Sequence, residues 1–186
     1  VFNKQPFTLV GRLQARYDAG VWNEWYLLFA DGSDGWLAEA GDQYVLTRPV
    51  AAAETPPAFA SLRAGSSRFT FHGKAFIAAD VRDITLERAA AEGELPFRFS
   101  GTRQNRVADF RYGGEFLTVD YADEPPEIFA GQGVALADLK LQNPRSDTQI
   151  IETAGKLKGS RASGNCPHCG SPVEWGKRPT DPPQSS

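Results

Sequence analysis

Cys166 and Cys169 are the only cysteines of the chain, and they stand two residues apart in "GNCPHCGSPVEWG", Gly164 to Gly176. Two thiolates at this spacing can grip a metal ion, exchange a disulfide, or do nothing. A structural zinc takes four ligands, and C-x-x-C followed by glycine is the spacing of one knuckle of such a site, the glycine letting the backbone fold tightly behind the second thiolate. "SPVEWG" is then the strand that leaves the knuckle. A redox dithiol needs its first cysteine at the start of a helix, whose N-terminus lowers the thiol pKa. Gly170, Pro172, Gly176 and Pro179 would break that helix. The third reading is a pair of idle thiols. His168 lies inside the knuckle, where it points away from a metal, and His72 is far upstream. The chain thus supplies Cys166 and Cys169 as half a zinc site. Zinc is expected only in the complete protein or across two chains. A second C-x-x-C is expected ~15–20 residues further on, beyond Ser186. With Val1 at the start and Met absent, a processed product or a fragment is expected.

Carboxylates offer a second chemistry. Glu24 and Glu39 flank the "WNEWYLLF…GWLAEA" segment, and two carboxylates perform acid–base work when their surroundings push their pKa values apart. This is the enzyme alternative, of hydrolase type. Asp120, Asp123, Glu124 and Glu127 form another acidic group, read as solvated turn charge. "DGSDG" lacks the terminal Glu of a calcium loop. With two histidines, and with no P-loop, G-x-G-x-x-G or Ser-His-Asp arrangement, general-base chemistry has few candidates. A non-enzymatic protein is the expectation. Trp22 and Trp36 raise a third option. Exposed, they would form a platform that stacks single-stranded bases; buried, they are core. Trp22, Glu24, Trp36 and Glu39 are together the candidate binding surface.

Charge bears on these options. The net charge is −3. Residues 143–186 hold six basic and four acidic residues, which leaves 14 and 19, a net of −5, on residues 1–142. Neither part has the basic field of a duplex nucleic-acid binder. No apolar run reaches the length of a membrane span. The opening residues do not read as a secretory leader and none is expected, and two cysteines do not make a disulfide framework, so a cytoplasmic setting is expected.

The elements that must position these residues read as strands. "PFTLVGRLQARY", "WNEWYLLF", "WLAEA" and "YVLTRPV" follow one another with turn signals between them, and "WNEWYLLF" is apolar on both faces. "AAAETPPAF", 51–59, is a Pro- and Ala-rich connector. "SRFTF" and "KAFIAADVRDITLE" flank a His72-Gly73 turn, and "VADFRY" and "EFLTVDY" flank Gly113-Gly114, a two-residue hairpin signal. "LERAAAEGE" prefers helix by propensity but lies between strands and is read as a hairpin. "VALADLKL" is read as a short closing helix. The expectation is an all-β domain over 1–142 of short antiparallel strands in barrel-like sheets, with two similar halves joined near 51–59. A linker or short helix follows over 143–165, then the truncated zinc-ribbon half over 166–186. Trp25, Leu27, Leu37, Phe76, Leu117 and Val119 are the expected core.

The run "G-R-L…W-N-E-W-Y-L-L-F…G-W-L-A-E", followed by "GELPF", "ADFRY" and "LTVDYADEPPEIFAGQGV", resembles the bacterial family known as domain of unknown function 4178. The resemblance covers residues 2–142. It implies a β-domain flanked by zinc ribbons of the CPxCG kind and transfers no catalytic residue. The role it implies is an adaptor or scaffold that binds protein partners in a membrane-stress complex, membrane-associated through those partners. A homo-oligomer is a further partner expectation.

Overall fold

The computed structural model describes residues 1–40, 43–51 and 54–142, together with the backbone of two short strands further on. The chain divides into two compact units, Val1–Leu141 and Gln142–Ser186. The first unit contains β-strands and single 3-10 turns but no α-helix among the described residues.

Its strands are β1 (Phe7–Tyr17), β2 (Gly20–Phe29), β3 (Asp34–Ala40), β4 (Gln43–Pro49), β5 (Arg68–Phe71), β6 (Lys74–Glu87), β7 (Glu92–Gly93), β8 (Thr102–Tyr112), β9 (Glu115–Asp120) and β10 (Glu127–Val134). Each pairs antiparallel with its neighbours, in the ring order β1-β2-β3-β4-β10-β9-β8-β6 and back to β1. This is a closed eight-stranded barrel. Closure removes the free edges that would otherwise invite aggregation.

The ring consists of two four-stranded meanders, β1-β2-β3-β4 and β6-β8-β9-β10. Their last strands meet along six residue pairs, Phe129↔Pro49 through Val134↔Tyr44. Their first strands meet along two, Ala15↔Leu86 and Arg16↔Thr85. Beyond that short seam the free length of β1 is covered by β7 and that of β6 by β5. Each first strand carries one irregularity, between Leu9 and Gly11 in β1 and between Ala78 and Asp80 in β6. Such bulges bend a strand and switch which side chains face inward.

Both faces of the sheet are covered, which explains why several strands read as apolar throughout. On the outer face, Phe69, Phe71, Leu62 and Phe59 pack on Phe76, Phe110, Leu117, Val119 and Ile128. Leu139, Phe2 and Phe7 pack on Leu27, Phe29, Leu37 and Leu46. Each such side chain contributes about 1.5–3 kcal/mol on burial. Of the expected core residues, Leu27, Leu37, Phe76, Leu117 and Val119 are buried, and Trp25 is half-buried against the outer cluster.

Two segments fold differently from their local sequence preference. "LERAAAEGE" is not a hairpin between β6 and β8. The chain makes a 3-10 turn at Arg88–Ala90 and then lays β7 against β1, so tertiary pairing overrides helix propensity. "VALADLKL" forms one 3-10 turn, Leu136–Leu139, which anchors the buried Leu139. The His72-Gly73 turn is present, with both residues at positive φ (48° and 75°), as a type I′ hairpin turn requires. Gly113-Gly114 likewise joins Tyr112 to Glu115.

In the second unit, β11 (Ser163–Asn165) pairs antiparallel with β12 (Pro172–Glu174). The readings at Cys166, His168 and Cys169, and the 143–162 linker or helix, lie outside the described residues.

Candidate functional site: an acidic barrel lumen

Alternation along each strand decides which residues share a face. In register, Leu13, Glu24 and Ala38 stand side by side on β1, β2 and β3. Across the ring, Asp109 stands opposite Thr118, and Val107 opposite Asp120. The charges of Asp109 and Asp120 bear on Glu24, although β2 is separated from β8 by β1 and β6 around the wall. Only across the lumen can they meet. Glu24, Asp109 and Asp120 therefore point into the barrel from three strands.

The lumen is apolar near the β1–β6 seam, where Leu13, Ala15, Ile84 and Leu86 form one cluster. Trp22, Trp36 and Tyr17 join it, together with Leu95, Phe97 and Phe99 from the excursion between β7 and β8. Trp36 stacks on Phe97 at 6.4 Å between centroids. The wall formed by β6, β8 and β9 is polar: Asp80, Arg82, Asn105, Asp109, Thr118 and Asp120. Glu24, Asp109 and Asp120 keep part of their surface accessible. An eight-stranded barrel is wide enough to be filled by side chains or to hold one small group.

Each carboxylate has a distinct environment. Trp22 Nε1 donates to Glu24 Oε1 at 2.9 Å, and Glu24 Oε2 accepts no hydrogen bond from a described residue. Burial pushes the Glu24 pKa up to about 7; the Trp22 N–H opposes the rise, and Asp109 and Asp120 add to it. Asp109 is also pushed up, first by burial. The Thr118 hydroxyl, which donates to Asp109 Oδ1 at 2.7 Å, holds it back, as do Arg82 and Arg111, while Asp80 adds to the rise. Asp120 accepts from Asn105 Nδ2 at 3.0 Å and from the Ala122 amide at 2.7 Å. Arg82 pairs with Asp80 and lies 4.0 Å from the Tyr17 ring centroid and 5.7 Å from that of Trp22. None of the three lumen carboxylates forms an ion pair within the described residues.

The residues singled out as a binding surface separate. Trp22, Glu24 and Trp36 line the lumen, and Glu39 is on the outer face, where it accepts from Asn23 Nδ2 at 3.1 Å. Asn23 in turn accepts from Arg12 at 2.7 Å. Glu24 and Glu39 thus lie on opposite sides of the sheet and cannot form a catalytic pair. The tryptophans are part of the lumen cluster, so neither forms an external stacking platform. Asp109 had no distinguishing signal in "ADFRY" beyond being a charge within a strand. Asp120 was noted, but as turn charge. Among the described residues no three His, Cys, Asp or Glu are grouped to hold a metal ion, and no helix is long and apolar enough to cross a membrane.

A family model described as "Domain of unknown function (DUF4178)" matches residues 2–135. No curated protein matches the chain, and no solved structure does.

Proposed function

From the premise that this chain belongs to the DUF4178 family, we propose a non-enzymatic adaptor module that binds a protein partner, with the mouth of the acidic lumen as its contact site. The observation that supports this reading is Glu24, on the lumen face of β2, with one carboxylate oxygen unbonded and no cation paired to it among the described residues. Buried ionisable groups without a compensating charge are costly and cluster where a protein works. A basic side chain presented by a partner would supply the missing charge. The partner setting is read from the family resemblance as a membrane-stress complex reached from the cytoplasm.

The test is capture from the native host with the wild-type chain and with Glu24→Gln and Asp109→Asn, followed by affinity measurement on the purified pair. Truncating one member of a buried charge pair costs about 2–5 kcal/mol, so the variants should bind at least tenfold more weakly. Equal affinity of all three, or turnover of a captured molecule, contradicts the reading.

For the second unit we propose that Cys166 and Cys169 supply two thiolates to a zinc ion whose other ligands come from a second chain or from sequence outside this one. The strands that bracket the motif support this. β11 ends at Asn165 and β12 begins at Pro172, so the motif lies in the sequence between two strands that pair with each other. Two thiolates are a fitting half of a tetrahedral set. Metal analysis of a chain extended past Ser186 should find one zinc, lost in Cys166→Ser. A metal-free protein with a reactive, acidic Cys166 would favour the redox reading.

A further inference from the structure

The two closures of the barrel are unequal, and the weaker one is tied to Glu24. The β4–β10 closure has six residue pairs and the β1–β6 seam has two. Trp22, which donates to Glu24, stands opposite Ala15, and Ala15 is itself a seam residue paired to Leu86. Arg82 bridges the same seam by lying over Tyr17 and Trp22, and Arg16 meets Glu87 at 3.4 Å on the outside. A change of charge on Glu24 is therefore one hydrogen bond and one strand pair from the seam.

We propose that protons control this closure: the β1–β6 seam is tight when Glu24 carries a proton and loosens when Glu24, Asp109 and Asp120 are all charged. The groups that face Glu24 account for the direction. From β1 and β3 it meets Leu13 and Ala38, which are uncharged. From β8 and β9 it meets Asp109 and Asp120, which repel it once it ionises. The cations of the facing wall are committed elsewhere, Arg103 to Asp123. Arg82 pairs with Asp80, and Arg111 lies over the Phe116 ring at 4.8 Å; both act on Asp109. A third negative charge in this space has no partner, and like charges in a poorly solvated site repel strongly. Relief comes from letting water in where the wall is held by two pairs. The burial that lifts Glu24 to about 7 places the transition near neutral pH.

The inference rests on the geometry of the proposed binding site, not on the partner. Its test contains no partner, so either reading can fail without the other. Amide exchange protection factors, which remove the chemical pH dependence, are measured at pH 6 and pH 8 for Ala15, Arg16, Thr85 and Leu86, and for the β4–β10 closure as internal control. Seam protection should fall at least tenfold at pH 8 while the β4–β10 amides change little. Glu24→Gln should keep the seam protected at both pH values. Asp120→Asn, which removes one repelling charge, should move the transition to lower pH. Equal seam protection at pH 6 and pH 8, a pH response that survives Glu24→Gln, or an Asp120→Asn midpoint unchanged from wild type each overturns the inference.

Discussion

Glu24 holds its proton more tightly in the folded chain than in an unfolded one, since its pKa rises from 4.5 to about 7. A carboxyl raised in the folded state contributes stability that is complete below the unfolded value and is lost as pH rises through the folded value. Its contribution should therefore decline between about pH 4.5 and pH 7, by at most about 3 kcal/mol. Denaturant midpoints measured from pH 5 to pH 8 should fall across this window. Glu24→Gln, which keeps an acceptor for Trp22 but no charge, should flatten the decline and be the more stable protein at pH 8. A wild-type curve that rises over the same window would contradict the burial of Glu24. Trp22→Phe removes the donor that favours the ionised form, so the transition should move upward in pH. Glu24 was legible in the sequence as a candidate, but with the wrong companion. Glu39 is near in sequence and on the opposite face, while Asp109 and Asp120 reach Glu24 only through the closed ring. Alternation identifies which residues share a face. It does not say which face is inside when both are apolar.

At the scale of elements, two glycines mark where backbones meet too closely for any side chain. A Cβ on Gly11 would lie 1.9 Å from the Glu94 carbonyl oxygen, and one on Gly131 would lie 1.9 Å from that of Leu46. Neither obstacle is a flexible side chain that could swing away. Gly11→Ala should part β1 from the excursion that holds β7, and Gly131→Ala should part β10 from β4. Each should cost about 3 kcal/mol or more, at the severe end of single substitutions. Thermal unfolding of the two variants checks this, and a loss under 1 kcal/mol would contradict the packing at these crossings. The hairpins at His72-Gly73 and Gly113-Gly114 were readable because turn geometry demands those residues. The course of "LERAAAEGE" was not, because its conformation is decided by pairing with β1, and no local preference in Arg88–Gly93 announces that. The bulge at Ala78/Asp80 likewise left no sequence mark, and that at Leu9/Gly11 only a lone glycine within a strand, yet they decide that Leu13 and Arg82 face inward.

For the whole molecule, the all-β barrel was visible in the spacing of short strands and turns, but not its inside-out distribution of polarity. The largest apolar cluster is outside the ring under covering segments, and the polar groups line one side of the lumen, opposite its apolar seam. Phe110, fully buried on the outer face, should cost about 3–5 kcal/mol when replaced by Ala, a loss calorimetry would detect. Asp109→Asn, on the next residue but facing the lumen, should leave stability at pH 8 unchanged or improved, because it removes a charge from an acidic space. That contrast between adjacent residues is what a covered barrel with a polar centre requires. The most direct measurement of the polar lumen is the titration of the Glu24 side-chain carboxyl followed by carbon NMR, assigned by Glu24→Gln. A midpoint near 7, shifted down in Asp120→Asn, is the predicted result. A midpoint near 4.5, insensitive to Asp120, would place Glu24 in open water and contradict the lumen.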